Sequence, residues 1–306
     1  MSEEEALHRR APGRGDGLFG PEFLALLERL RLLLTGPLAG RRRGEHLTRR
    51  RGTGLELVDF RPYQPGDDPR RIDWNVFSRL DQLHSKLHAS EEDLRVCVLL
   101  DASESMAYGD PSKFVLARRI AAALAVVGLW SFERASVLAF GERVETRLPD
   151  VGPRRGVHRL LDFLGALQTR GGTDLGRAFG ETLPELARPA LVYVISDFLG
   201  PVPPFDGLDR LRTLGHEISL VRVLAGEELR PRLRGDLRLV DVESGRSVRL
   251  TMDAALARGY RRALERSLRE LEGYARRTGI EHVLVDTGEP LETVLLGRLF
   301  RLGRRR

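Results

Sequence analysis

A chain of 306 residues, 42% hydrophobic and 31% charged, with a formal net charge of +6, has room for one large α/β domain with an appendage or for two ordinary domains. Its composition excludes a disordered or collagenous protein. The single cysteine, Cys97, excludes an internal disulfide and a cysteine metal cage, and points to a reducing compartment.

All but two of the 50 basic residues are arginine, the exceptions being Lys86 and Lys113, a skew that reads as codon composition. Residues 1–20 are polar and glycine-rich and are expected to form a disordered tail. No apolar leader with a small-residue cleavage site follows MSEEEALHRR. Residues 21–93 hold a helix and a basic, turn-rich segment. The helix, PEFLALLERLRLLLTG, is opened by Pro21 and closed by Gly36. GRRRGEHLTRRRGTG (40–54) and the terminal RLGRRR cluster arginines that suit nucleic acid or an acidic partner, or are a solvated loop and a frayed end. No aromatic residues interleave with them to stack bases, which weakens the nucleic-acid reading. From 40 to 90 turn chemistry dominates and little regular structure is expected; YQPGDDPRRIDW (63–74) packs prolines, a glycine and aspartates into one turn.

From 94 to 306 the pattern becomes strand–helix alternation. LRVCVLL leads into a helix from Lys113 to Trp130, followed by strands ASVLAF (135–140) and VETRLP (144–149), close enough to pair as an antiparallel hairpin. Helices are expected near 154–167 and 174–187, then strand ALVYVIS (190–196), a helix near 206–215 and strand EISLVRVL (217–224). An insert near 226–253 holds a hairpin, LRLVDVESGRSVRLTM, with Ser244 and Gly245 at its turn. A long helix from Asp253, strand EHVLVDT (281–287) and a last helix complete the chain. Such alternation implies a doubly wound, mostly parallel sheet with helices on both faces. No stretch reads as a membrane span: IAAALAVVGLW (120–130) has the character of a buried core helix. A cytoplasmic protein is the expectation.

In such a sheet ligands bind at the carboxyl ends of the strands, where strand order reverses. Asp101 follows the first strand, with Ser103 and Ser105 at alternate positions; Asp197 follows LVYVIS; Thr173 sits in the glycine-rich RGGTDLGRA loop. Asp286 is a weaker candidate. Two carboxylates and three hydroxyls, with no lysine or histidine nearby, would make an oxygen-only site suited to Mg²⁺, with Mn²⁺ as the alternative. Two carboxylates leave such an ion incompletely neutralised, so an outside carboxylate would be drawn to an open position. The competing reading is that Asp101 and the serines cap the next helix.

Asp-x-Ser-x-Ser after the first strand, Gly-Gly-Thr-Asp in a later loop and an Asp after the fourth strand resemble a von Willebrand factor type A domain. Asp101, Ser103, Ser105, Thr173 and Asp197 fill the five positions of that family's metal-ion-dependent adhesion site. The resemblance implies that Ser103 and Ser105 bind the ion directly and Thr173 in one state, with the aspartates acting directly or through water. It also implies strand order 3-2-1-4-5-6.

Upstream, GTGLELVDFRPYQPGDDPRRIDWNVFSR (52–79) followed by DASESM is similar to the bacterial family called domain of unknown function 58. The motif positions are Asp59, Arg61, Tyr63, Gly66, Asp67, Arg70, Ile72, Asp73 and Trp74, with the family's phenylalanine replaced near Leu57. This resemblance implies association with AAA+ ATPases of the MoxR type and leaves the motif's role open. A salt-bridged turn with Trp74 packed inward is the plain reading of GDDPRRIDW.

A hydrolase is the weakest alternative. Aspartyl phosphotransferases place a second aspartate two positions after the first, where this chain has Ser103, and neither a Gly-x-Ser-x-Gly elbow nor a Walker loop occurs. The expected class is a metal-ion-dependent protein-interaction module, not an enzyme.

Overall fold

The computed structural model describes residues 17–35, 51–62, 77, 82–89, 95–132, 134–153, 155–186, 188–200, 202–231, 235–243 and 245–299. The chain divides into two compact units, residues 1–30 with 95–306, and residues 31–94. Helix α1 (Pro21–Thr35) buries Phe23, Leu26, Leu27 and Leu30 at helical spacing. This stripe ties α1, up to Leu30, to the larger unit. Residues 17–20 form a turn, and Arg119 Nε donates to the Leu18 carbonyl at 2.8 Å. Those four residues therefore belong to the folded unit and not to a loose tail.

In the smaller unit β1 (Arg51–Pro62) and β2 (His84–Ala89) pair antiparallel, with Arg61 opposite Ser85 and register shifts around Leu57. These strands stand where little regular structure is expected. The alternation in LELVDF, overshadowed by the flanking turn residues, accounts for β1. The rest of the family motif (Tyr63, Gly66, Asp67, Arg70, Asp73 and Trp74), the arginine runs at 41–50 and 301–306, and residues 1–16 lie outside the described residues.

The larger unit continues with β3 (Val96–Asp101), α2 (Lys113–Phe132), β4 (Ala135–Phe140), β5 (Val144–Val151), α3 (Gly156–Ala166), α4 (Leu175–Thr182), β6 (Leu191–Ser196) and α5 (Phe205–Thr213). Then come β7 (Glu217–Leu224), α6 (Gly226–Leu229), β8 (Gly235–Val240), β9 (Ser247–Met252), α7 (Ala254–Thr278), β10 (Glu281–Asp286) and α8 (Leu291–Val294). Six strands form one sheet in the order β5-β4-β3-β6-β7-β10. β4 and β5 pair antiparallel and the other neighbours run parallel. Counted without the inserted hairpin β8–β9, this is the expected order 3-2-1-4-5-6.

β3 lies at the centre with all six residues buried, as a parallel strand covered on both faces must be. Alternate side chains face opposite layers. Val96 meets α2, where a Cβ on Gly128 would fall 2.4 Å from Val96 Cγ2; only glycine allows that approach. Cys97 and Leu99 face the other layer, in a core with Phe179, Leu208, Leu271 and Tyr274 from α4, α5 and α7. Helix α2 is long and apolar enough to cross a bilayer by length and composition, but 78% of its apolar window is buried in the fold. It is the core helix that its sequence suggests. Helix α7 starts where Asp253 accepts the Leu256 amide at 2.7 Å and ends at Gly279, whose φ of +73° is the left-handed conformation a terminating glycine adopts.

Candidate metal centre at the carboxyl edge of the sheet

Asp101 ends β3 fully buried. Its Oδ1 accepts the Ser103 amide at 2.9 Å, which turns the chain sharply off the strand. Its Oδ2 accepts the hydroxyl of Ser196, the last residue of the neighbouring strand β6, at 2.6 Å. Burial and then the nearby Asp197 carboxylate push the Asp101 carboxyl up to about 7 against these hydrogen bonds. Ser103 is extended, whereas Ser105 lies in a 3₁₀ turn (Glu104–Ala107). Ser103 occupies the cap position of that turn without a side-chain capping bond. Its hydroxyl instead lies 3.0 Å from the Ser105 hydroxyl. The capping alternative therefore fails for Ser103.

Backbone hydrogen bonds lace this loop to the glycine-rich one. The Glu104 amide donates to the Gly171 carbonyl at 2.9 Å, and the Arg170 amide to the Ala102 carbonyl at 2.8 Å. Thr173 is thereby brought to the same edge. Its hydroxyl donates to Glu243, at the tip of the inserted hairpin, at 3.2 Å. Asp197 follows β6, with Oδ1 accepting the Leu199 amide at 3.0 Å. The next residue, Phe198, has φ of +51°, a left-handed conformation rare for an aromatic side chain. The Phe198 amide is held by Ser196 Oγ at 3.1 Å, and Arg222 Nη2 reaches its carbonyl at 3.4 Å.

The expectation of a site without lysine is corrected. Lys113, at the start of α2, is 1% exposed, and its ammonium donates to Asp197 Oδ2 at 2.6 Å and to Glu228 Oε1 at 2.7 Å. Burial works against this ammonium, but Asp197 and Glu228 outweigh it and hold its proton more tightly than in a free lysine. Behind it stands Arg222, fully buried inside β7 and bonded to Ser267 through its hydroxyl at 2.8 Å and its carbonyl at 3.1 Å. Burial lowers Arg222 to about 10, with Asp197 and Glu228 opposing. Asp286 ends β10 but is committed to Arg230 and the Gly288 amide.

Sequence reasoning missed Lys113, Ser196, Arg222, Glu228 and Glu243. Two had a visible signal. Arg222 interrupts the apolar run EISLVRVL, and Lys113 is one of two lysines among 50 basic residues. Glu228 stands four residues beyond β7, just outside a search of strand ends.

Among the described residues no group of three or more His, Cys, Asp or Glu could hold an ion by itself. An ion here would depend on hydroxyl oxygens. The paired Ser103 and Ser105 hydroxyls, with Thr173 on the adjoining loop and Asp101 and Asp197 on neighbouring strand ends, match the chemistry of a hard divalent cation that keeps some of its water. The donor set fits.

A six-stranded sheet in this order, with this loop after its central strand, defines a von Willebrand factor type A-like fold. Residues 59–270 match the family described as Protein of unknown function DUF58, and the chain belongs to that family. The uncharacterized protein Rv1480 of Mycobacterium tuberculosis is 31% identical over 273 residues, covering 86% of this chain and 85% of its own. Among solved structures, the conserved hypothetical protein BatB from Bacteroides thetaiotaomicron is similar at 15% identity and a TM-score of 0.43, over 69% of this chain and 99% of that one. The manganese-loaded TRAP protein of Plasmodium vivax is similar at 15% identity and a TM-score of 0.34, over 43% of this chain and 57% of that one.

Proposed function

We propose that this chain is a protein-interaction module that uses a divalent cation, Mg²⁺ with Mn²⁺ as the alternative, to take hold of a carboxylate on a partner. The observation that carries the reading is the pair of serine hydroxyls, 3.0 Å apart and with Ser103 making no cap, at the edge where Asp101 ends β3 and Asp197 directly follows the adjacent strand β6. Bound there, the ion supplies positive charge and a coordination position for the partner's oxygen. Ser103, Ser105 and Thr173 supply neutral donors, and Asp101, fixed by Ser103 and Ser196, supplies buried negative charge beneath them. Binding rather than catalysis is favoured because both Asp101 oxygens are already engaged and Ser103 replaces the second acid that phosphoryl transfer requires. A MoxR-type AAA+ ATPase, which the family resemblance implies, is the partner to test first, in complex assembly or maturation.

Titration calorimetry with Mg²⁺ and Mn²⁺ tests the site. Wild-type protein should take up one ion. Ser105→Ala, which leaves the Asp101 hydrogen bonds in place, should weaken uptake on the order of tenfold or more. Absence of any uptake by the folded wild-type chain would sink the reading. A capture experiment with the ATPase, with and without EDTA, tests the partner separately.

A further inference from the structure

The hairpin β8–β9 covers very little of itself: among its described strand residues only Leu237, Leu250 and Met252 are even partly buried. Yet its tip meets the candidate site through Glu243. The Thr173 hydroxyl donates to Glu243 Oε1 at 3.2 Å, while Oε2 lies 3.3 Å from the point where a Cβ on Gly172 would stand. Glu142 Oε1 lies 3.2 Å from the same point, so the bare glycine leaves room for the ends of both side chains on this loop.

The tip is shaped for this. Asp241 accepts the Glu243 amide on Oδ1 at 3.0 Å and the Gly245 amide on its carbonyl at 2.8 Å, and Gly245 has φ of +68°. An exposed arm thus carries a carboxylate, on a preformed turn, to a hydroxyl of the site.

We propose that Glu243 is the chain's own ligand for the metal site, holding the position that a partner's carboxylate takes, so that partner binding exchanges one carboxylate for another and frees the hairpin. This rests on the metal-dependent reading above. A tethered carboxylate competes at an effective concentration in the millimolar range, on the order of what short linkers give, so an outside ligand must outbid it. The ligand class that follows is an acidic side chain displayed on a turn.

The test uses Mn²⁺ alone on the full chain, comparing wild type with Glu243→Gln, a change on an exposed arm that leaves the core untouched. With Glu243 as a ligand, Glu243→Gln should bind Mn²⁺ roughly tenfold more weakly. Water-proton relaxation per bound ion should rise, because water replaces the lost oxygen. Equal affinity and equal relaxation in wild type and Glu243→Gln would overturn this inference while leaving the site reading intact. No Mn²⁺ uptake by either chain would overturn both.

Discussion

Lys113 fixes the electrostatics of the site. Its ammonium lies 1% exposed between Asp197 and Glu228, so removing it strands buried negative charge beside Asp101. Lys113→Met should therefore cost about 3–5 kcal/mol, the usual result of deleting one partner of a buried ion pair. Mg²⁺ should recover part of that loss, giving the variant a larger rise in melting temperature than wild type. A variant as stable as wild type without metal would show that the pair is not what neutralises Asp197. Arginine should not substitute. Its planar guanidinium is larger and directional, whereas two carboxylates here share one compact charge. In a chain that otherwise uses arginine almost throughout, a buried lysine at this position has a chemical reason.

At the scale of elements, the close packing of α2 on β3 sets the position of both Lys113 and Asp101. Gly128 permits it, since any Cβ there would collide with both Val96 methyl carbons, at 2.4 Å and 3.1 Å. Gly128→Ala improves helix propensity by about 1 kcal/mol, yet it should destabilise the protein by about 1–3 kcal/mol through overpacking. Urea unfolding measures the sign directly; a gain in stability would mean that the layers can part without loss. The elements themselves were largely legible in sequence. β3 appears as an unbroken apolar run, and α7 carries its cap signals at Asp253 and Gly279. β1 and β2 were hidden because prolines, glycines and charges around them speak for turns, while pairing across the two strands supplies the order.

Over the whole molecule, the central sheet carries most of the core, and two histidines on its strands or at their edges titrate against folding. Burial and the Arg95 charge hold His216 below its ordinary 6.5. Burial and Arg222 do the same for His282, which Glu272 partly opposes. An unfolded histidine accepts a proton near 6.5 that the folded one resists, so their contribution is intact above that pH and is lost as pH falls below it. Asp101, raised to about 7, takes up a proton in the folded state over the same range and works in the opposite direction. The histidine effect is therefore read as a difference: between about pH 7.5 and about pH 5.5 the urea midpoint of His216→Gln should rise relative to that of wild type. A difference between the two chains that does not change with pH in that window would contradict the burial argument.

The sequence by itself determined the strand–helix alternation and the five oxygen-bearing residues placed after strands or in the glycine-rich loop, whereas the sheet order came only with the resemblance to the type A fold. The alternation follows from local periodicity, and the choice of residues from the rule that ligands bind where parallel strands end. Only the tertiary structure decided what surrounds those residues. Lys113 meets Asp197 across 84 positions and Glu228 across 115, and Thr173 meets Glu243 across 70. Contacts at such separations depend on how helices and an inserted arm settle over the sheet. No local pattern of residues encodes that, because each pairing is set by the packing of everything between.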